Sequence, residues 1–321
     1  MLYLNEKDIK NAISMKEMID AIDITYKVYQ SGDYLMPTRL QIIDGDNTLL
    51  VMPSFIKEAI GTKLVTIFPE NITVPRLHGI VVLTSNETGE IKAIMDGTFL
   101  TGFRTGAVGG SAVRHFAEEE GETLAIIGTG VQGFYQAIAA CTERPIRKIA
   151  LYNRTESKVP DFTRRLRQEI GDAIEITSCH SAEDAIKEAE IIITATNSND
   201  PVLPNNPEFL KNKLIVGIGS FQPKMREFPQ ALFEVTDQVY IDTDDAIKES
   251  GDICTPLENK WIKNQSIQTM ASYLATNKKI EREEGKSIIF KSTGMALFDV
   301  VAANIIYKKA SQLNIGQQLE T

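Results

Sequence analysis

Polar and apolar positions along the chain change their period from one region to the next. Over residues 14–32 the apolar side chains Met15, Met18, Ile22, Tyr26 and Tyr29 recur at helical spacing. Ser14-Met15-Lys16-Glu17 ahead of them has the form of a capping box and Gly32 closes the run, so one amphipathic helix with both ends marked is predicted. The pattern then shifts to runs of β-forming residues at 39–44, 48–55, 63–68, 79–84 and 90–95, the last two joined by the turn sequence Asn86-Glu87-Thr88-Gly89. Residues 1 to about 100 therefore read as an α+β unit with a largely antiparallel sheet. From Leu124 onward, strand-like segments at 124–128, 148–153, 174–177, 190–196, 214–220 and 238–243 alternate with helical stretches. That alternation predicts an α/β fold, a Rossmann-type doubly wound parallel sheet. Residues 102–119 read as a linking helix, 287–292 as a strand and 294–310 as a final helix, with the tail returning to the first unit. The expected division is residues 1–112 with 294–321, and residues 113–293.

A chain of 321 residues with 43% hydrophobic content has room for two cores, in keeping with that division. Its formal net charge of −9 argues against nucleic acid or an anionic membrane as partner, since both call for a basic excess. No apolar run approaches the roughly 18 residues of a membrane span, and MLYLNEKDIK is too charged for a signal peptide, so a cytoplasmic location is expected. Cys141, Cys179 and Cys254 are odd in number and far apart, as buried reduced thiols would be. His78, His115 and His180 are isolated, and no His or Cys spacing suits a zinc site, so no metal is expected.

The most specific local signal is Leu124-Ala125-Ile126-Ile127-Gly128-Thr129-Gly130-Val131-Gln132-Gly133, an apolar strand that runs into Gly-x-Gly-x-x-Gly and a helix. Gly128 permits the tight turn, Gly130 lets the backbone approach a pyrophosphate, and Gly133 lets the helix pack on the strand. Thr129, Val131 and Gln132 join these glycines as expected cofactor contacts. The second strand should end in an acid where a ribose 2′-hydroxyl is bound, but here it ends in Asn153-Arg154-Thr155. Nothing there repels a 2′-phosphate, and Arg154 with the Thr155 hydroxyl offers one charge and hydrogen bonds. NADP(H) is expected in preference to NAD(H), with NAD(H) possible. Ala195, Thr196 and Asn197, past the fourth strand, lie at the carboxyl edge of the sheet and are expected to border the nicotinamide ribose. The loop from Gly217 to Pro223 lies at the same edge.

Several motifs together resemble the ornithine cyclodeaminase and mu-crystallin family over nearly the whole chain. They are Met36-Pro37-Thr38-Arg39, Val51-Met52-Pro53, Gly61-Thr62-Lys63, Phe68-Pro69-Glu70-Asn71, Ala93-Ile94-Met95-Asp96-Gly97, Leu100-Thr101-Gly102-Phe103-Arg104-Thr105-Gly106-Ala107, the Gly128 loop, Arg226-Glu227 and Lys291-Ser292-Thr293-Gly294. The resemblance implies a homodimer formed through the sheets of the first unit, which would serve as substrate-binding and dimerisation domain, with the active site between the two domains of each subunit. It assigns Arg39 and Arg104 to the α-carboxylate of an amino or imino acid, makes Lys63 a third contact and first candidate for proton delivery, and adds Thr105 to the cofactor contacts. Read without the family, each cation is an ordinary surface residue. His78 is the second candidate proton donor.

Cyclodeaminases of this family are expected to carry a catalytic aspartate six residues before a glutamate that matches Glu227, and that position is Phe221. A phenyl ring accepts no proton, and no carboxylate lies between Gly217 and Arg226 to replace it. The segment Ser220-Phe221-Gln222-Pro223-Lys224-Met225-Arg226-Glu227 is closer to the mu-crystallin and pyrroline-2-carboxylate reductase branch. The expectation is an NAD(P)H-dependent reductase of cyclic ketimine acids, Δ1-pyrroline-2-carboxylate to proline or Δ1-piperideine-2-carboxylate to pipecolate. Two alternatives stand beside it: an ornithine cyclodeaminase or alanine dehydrogenase acting on open-chain amino acids, and an NADPH-binding protein with little turnover.

Overall fold

The structure, a computed structural model, describes residues 1–280 and 282–320. The chain forms two compact units, Met1–Arg104 with Met295–Thr321, and Thr105–Gly294.

The first unit is built on strands β1 (Leu2–Leu4), β2 (Tyr34–Leu35), β3 (Leu40–Asp44), β4 (Asn47–Ile56), β5 (Ala59–Ile67), β6 (Leu77–Ser85) and β7 (Ile91–Asp96). They form one sheet in the order β1-β7-β6-β5-β4-β2, with β3 also on β4 and the short strand Gln317–Gln318 on β1. Pairing is antiparallel except for β1 on β7, which is parallel. In β5 alternate residues Ala59, Gly61, Lys63 and Val65 are buried, and this face meets the helix Ala296–Leu313. The two come so close that a Cβ on Gly61 would lie 2.6 Å from Cβ of Val300, which only glycine allows. The helix Met15–Ser31 has the predicted ends: Ser14 accepts from the Glu17 N–H, Glu17 reaches back, and Gly32 is left-handed at φ 75°.

The linking helix is Gly97–Phe116, five residues earlier than the apolar pattern indicates. Asp96 explains the early start, because its carboxylate accepts from the Phe99 N–H at 3.0 Å and so caps the first turn. The division between units falls within this helix, after Arg104.

The second unit carries β8 (Thr123–Ile127), β9 (Lys148–Tyr152), β10 (Glu175–Ser178), β11 (Ile191–Thr194), β12 (Leu214–Gly217), β13 (Val239–Ile241), β14 (Ile267–Thr269) and β15 (Ile288–Lys291). The order is β10-β9-β8-β11-β12-β15-β13-β14, and every pairing is parallel. The fold is thus α/β, with a Rossmann-type sheet. β15, late in the chain, lies between β12 and β13, so that β13 sits one place further out than chain order would put it. β12, β13 and β15 are buried at every residue, so their sequences hold no face pattern from which order could be read.

Candidate active site

In the first unit, two of the predicted cations converge on an acid that the sequence reading did not single out. Lys63 projects from the buried face of β5, Arg104 from the helix Gly97–Phe116 and Asp299 from Ala296–Leu313. The Asp299 carboxylate bridges the cations, with Oδ2 2.8 Å from Lys63 Nζ and Oδ1 2.9 Å from Arg104 Nε. Exposure is 2% for Lys63, 4% for Arg104 and 2% for Asp299. Two cations thus share one carboxylate out of water, leaving one net positive charge without a counter-ion in the trio. Arg104 Nη1 is buried and has no hydrogen-bond partner among the described residues, a costly state unless an acceptor enters. Burial pushes the Lys63 ammonium down to about 8, helped by Arg104 and Arg39 and opposed by Asp299. Arg39, half-buried just before β3, is therefore close enough to act on Lys63.

His78 is not part of this group. It is exposed on β6 opposite Thr66, whereas Lys63 pairs with Val81. Three positions separate His78 from Val81, so the alternation of a strand turns it to the opposite face of the sheet.

The second unit holds the glycine turn in the form its sequence predicts. Gly128 has φ 108°, and a Cβ there would lie 2.6 Å from the Ala195 carbonyl oxygen; at Gly133 it would lie 2.1 Å from that of Gly128. Space beside Gly130 is open. The helix Val131–Glu143 begins there without a side-chain cap, and Val131 is 60% exposed. An uncapped helix N-terminus beside an open glycine suits the pyrophosphate of a dinucleotide. Asn153 fastens the turn to the next strand: its Oδ1 accepts from the Thr129 N–H at 3.1 Å and its Nδ2 donates to the Thr155 carbonyl at 2.8 Å. Arg154 and Thr155 are exposed at that strand's end. Thr105 accepts through its carbonyl from Gln136 Nε2 at 2.7 Å.

At the carboxyl ends of β11 and β12, Glu227 ties two loops together. Its Oε1 accepts from the N–H of Thr196 at 2.7 Å and from the Thr196 hydroxyl at 2.8 Å; its Oε2 accepts from the N–H groups of Gly219 and Ser220 at 2.8 and 3.3 Å. Lys291 Nζ lies 4.0 Å from Glu227 and 3.2 Å from Asp252. Asp252 accepts in turn from the N–H groups of Glu227 and Phe228. All three charged side chains are fully buried. The carboxylate nearest in sequence to Phe221 on the C-terminal side is thus engaged by the backbone of two loops.

The chain matches the ornithine cyclodeaminase/mu-crystallin family over residues 1–314. The chain belongs to this family. Among curated relatives, the Δ1-pyrroline-2-carboxylate reductase of Bacillus cereus is 34% identical, with the full length of both chains covered. Among similar solved structures is that of the Thermococcus litoralis Δ1-pyrroline-2-carboxylate reductase in complex with NADH and L-proline, at TM-score 0.92 and 30% identity over 99% of this chain and 100% of that one. An archaeal alanine dehydrogenase dimer with bound NAD aligns at TM-score 0.90 and 26% identity, over 100% of this chain and 99% of that one.

Proposed function

We propose that the protein is a nicotinamide-dependent oxidoreductase that reduces cyclic ketimine carboxylates, Δ1-pyrroline-2-carboxylate to proline and Δ1-piperideine-2-carboxylate to pipecolate. The observation that carries this is the Lys63–Asp299–Arg104 trio with its unmatched positive charge and the orphan Arg104 Nη1. A carboxylate supplies both the charge and the acceptor. The likeness to reductases of that name, one of them solved with NADH and L-proline, supports the substrate class.

The chemistry asks for a held carboxylate and a proton at the ring nitrogen. Arg104, with Arg39, binds the carboxylate and orients the ring. Lys63, near 8, is acidic enough to give a proton to the imine nitrogen near neutral pH. Residues 128–133 and 153–155 would hold the reduced nicotinamide dinucleotide, which supplies the hydride for the imine carbon. Thr105, Ala195, Thr196 and Asn197 would line its nicotinamide end. Glu227 supports this through Thr196, whose N–H and hydroxyl it holds.

The exposed Arg154 and the lack of a carboxylate at 153–155 favour NADPH over NADH. A homodimer is supported by β3, exposed at every residue although Leu40, Ile42 and Ile43 are apolar; so large an apolar run calls for a partner. Free thiols at Cys141, Cys179 and Cys254 fit a reducing cytoplasm. The test is the initial rate of NADPH and NADH oxidation with each ketimine, beside ammonia release from ornithine with NAD+. Rapid ketimine reduction without ammonia release is expected; ammonia and proline from ornithine would overturn the reading.

A further inference from the structure

The helix Ala296–Leu313 begins with a run of apolar residues, all buried, broken by one acid, Asp299. An unpaired carboxylate in such a run would be strongly destabilising, so its position next to two cations needs a reason. The close approach of this helix to β5 at Gly61 and Val300 sets the acid beside Lys63, two residues along the strand. From there each carboxylate oxygen takes a different cation.

We propose that Asp299 is a positioning residue for ketimine reduction: its Oδ2 keeps Lys63 as a proton-bearing ammonium, and its Oδ1 takes Arg104 Nε so that Nη1 stays available to the substrate carboxylate. This rests on the reductase reading above. The groups that act on Lys63 come from each element around it: Asp299 from the terminal helix, Arg104 from the linking helix and Arg39 from the loop before β3. β4 carries no titratable residue, and His78 of β6 is on the other face of the sheet. Among these, Asp299 alone favours the ammonium over the neutral amine. Arg104 held through Nε presents its other nitrogens in a fixed plane, the geometry a carboxylate accepts from.

Asp299→Asn keeps the shape and removes the charge. In the variant, the fall of kcat/KM on the alkaline side moves at least one pH unit lower than in the parent, KM for the ketimine does not rise, and turnover returns to within about threefold of the parent at pH 6, where Lys63 is again protonated. A uniform loss at every pH would overturn the assignment. A second readout needs no substrate: in protein labelled at lysine Cε with 13C, the Lys63 resonance, assigned by its absence in Lys63→Arg, titrates at lower pH in Asp299→Asn, and an unmoved midpoint overturns the assignment. If Asp299→Asn does not fold, Asp299→Glu keeps the charge but displaces the carboxylate. It holds the Lys63 midpoint and raises KM through Arg104; a shifted midpoint with unchanged KM overturns the proposal. A parent enzyme that binds but does not reduce either ketimine would fail the reductase reading, while the lysine titration would still decide the hold of Asp299 on Lys63.

Discussion

Lys63 and Arg154 take opposite settings for a cation, and each leads to a different expectation. Lys63 is buried with its ammonium lowered to about 8, so at neutral pH the charged form predominates, and under the proposed reaction its loss should remove proton transfer. Lys63→Met is expected to lower kcat/KM about 10²- to 10⁴-fold, the range of a general acid, while the far-ultraviolet circular dichroism and NADPH binding stay as in the parent. The alkaline limb of the kcat/KM profile should fall near pH 8, since the acid form is lost as pH rises through that value. Arg154 is exposed, and a 2′-phosphate is the group that would meet it. Arg154→Ala should raise KM for NADPH about tenfold and leave that for NADH within twofold, as read from initial rates; equal losses for both would make Arg154 a structural residue. Both cations could be named from sequence because motif and strand position marked them. Asp299 could not, since a single acid in Leu297-Phe298-Asp299-Val300-Val301 has no local partner; its partners are Lys63 and Arg104, about two hundred residues away in sequence. The signal that was available was the anomaly itself, an acid in an otherwise apolar helix.

Among the elements, the helix Met15–Ser31 and the strand β5 show how close contacts and caps are distributed. The Glu17 carboxylate is held down to about 2, chiefly by Lys309 and then by the Ser14 N–H and hydroxyl. A folded-state value below the unfolded one means stability that is present above about 4.5 and is lost as pH falls toward 2. Acid unfolding should therefore begin at higher stability loss in the parent than in Glu17→Gln, whose midpoint in a denaturant series changes less between pH 5 and pH 2.5. Ser14→Ala should cost about 1 kcal/mol by the same series at neutral pH. Gly61→Ala has a steeper consequence. Its methyl would meet Val300 at 2.6 Å, and the helix must withdraw from β5, at about 1–3 kcal/mol and with the Asp299–Lys63 pair opened. Lower thermal stability together with lost ketimine reduction is expected; full activity would mean that the helix can shift without moving Asp299. Caps and the helical period were plain in sequence because they are local, as was the hairpin β6–β7. The early start of the linking helix at Asp96 was missed because a lone aspartate before a glycine also reads as a turn.

On the scale of the whole molecule, β3 and its neighbours leave apolar side chains in water: Leu35, Leu40, Ile42 and Ile43 are exposed by 70, 55, 51 and 63%. If these form the dimer contact, Ile42→Glu should give a monomer by light scattering coupled to size exclusion, with the secondary structure kept; a dimer that persists would place the contact elsewhere. No helix among the described residues is long and apolar enough to cross a membrane. What the sequence by itself determined are the features written in adjacent residues: the glycine turn and its helix, the strand-then-helix alternation of the second unit, the antiparallel runs of the first, and the lack of an acid at Phe221. These depend on period, turn chemistry and spacing, which are local. Only the tertiary structure decided that β15 enters the sheet between β12 and β13, that Glu227 is occupied by the backbone of two loops, and that Asp299 joins Lys63 to Arg104. Each of these includes a contact between residues well separated along the chain, and burial is what gives them their energy: a charge in water needs no partner, whereas the same charge under a helix must find one.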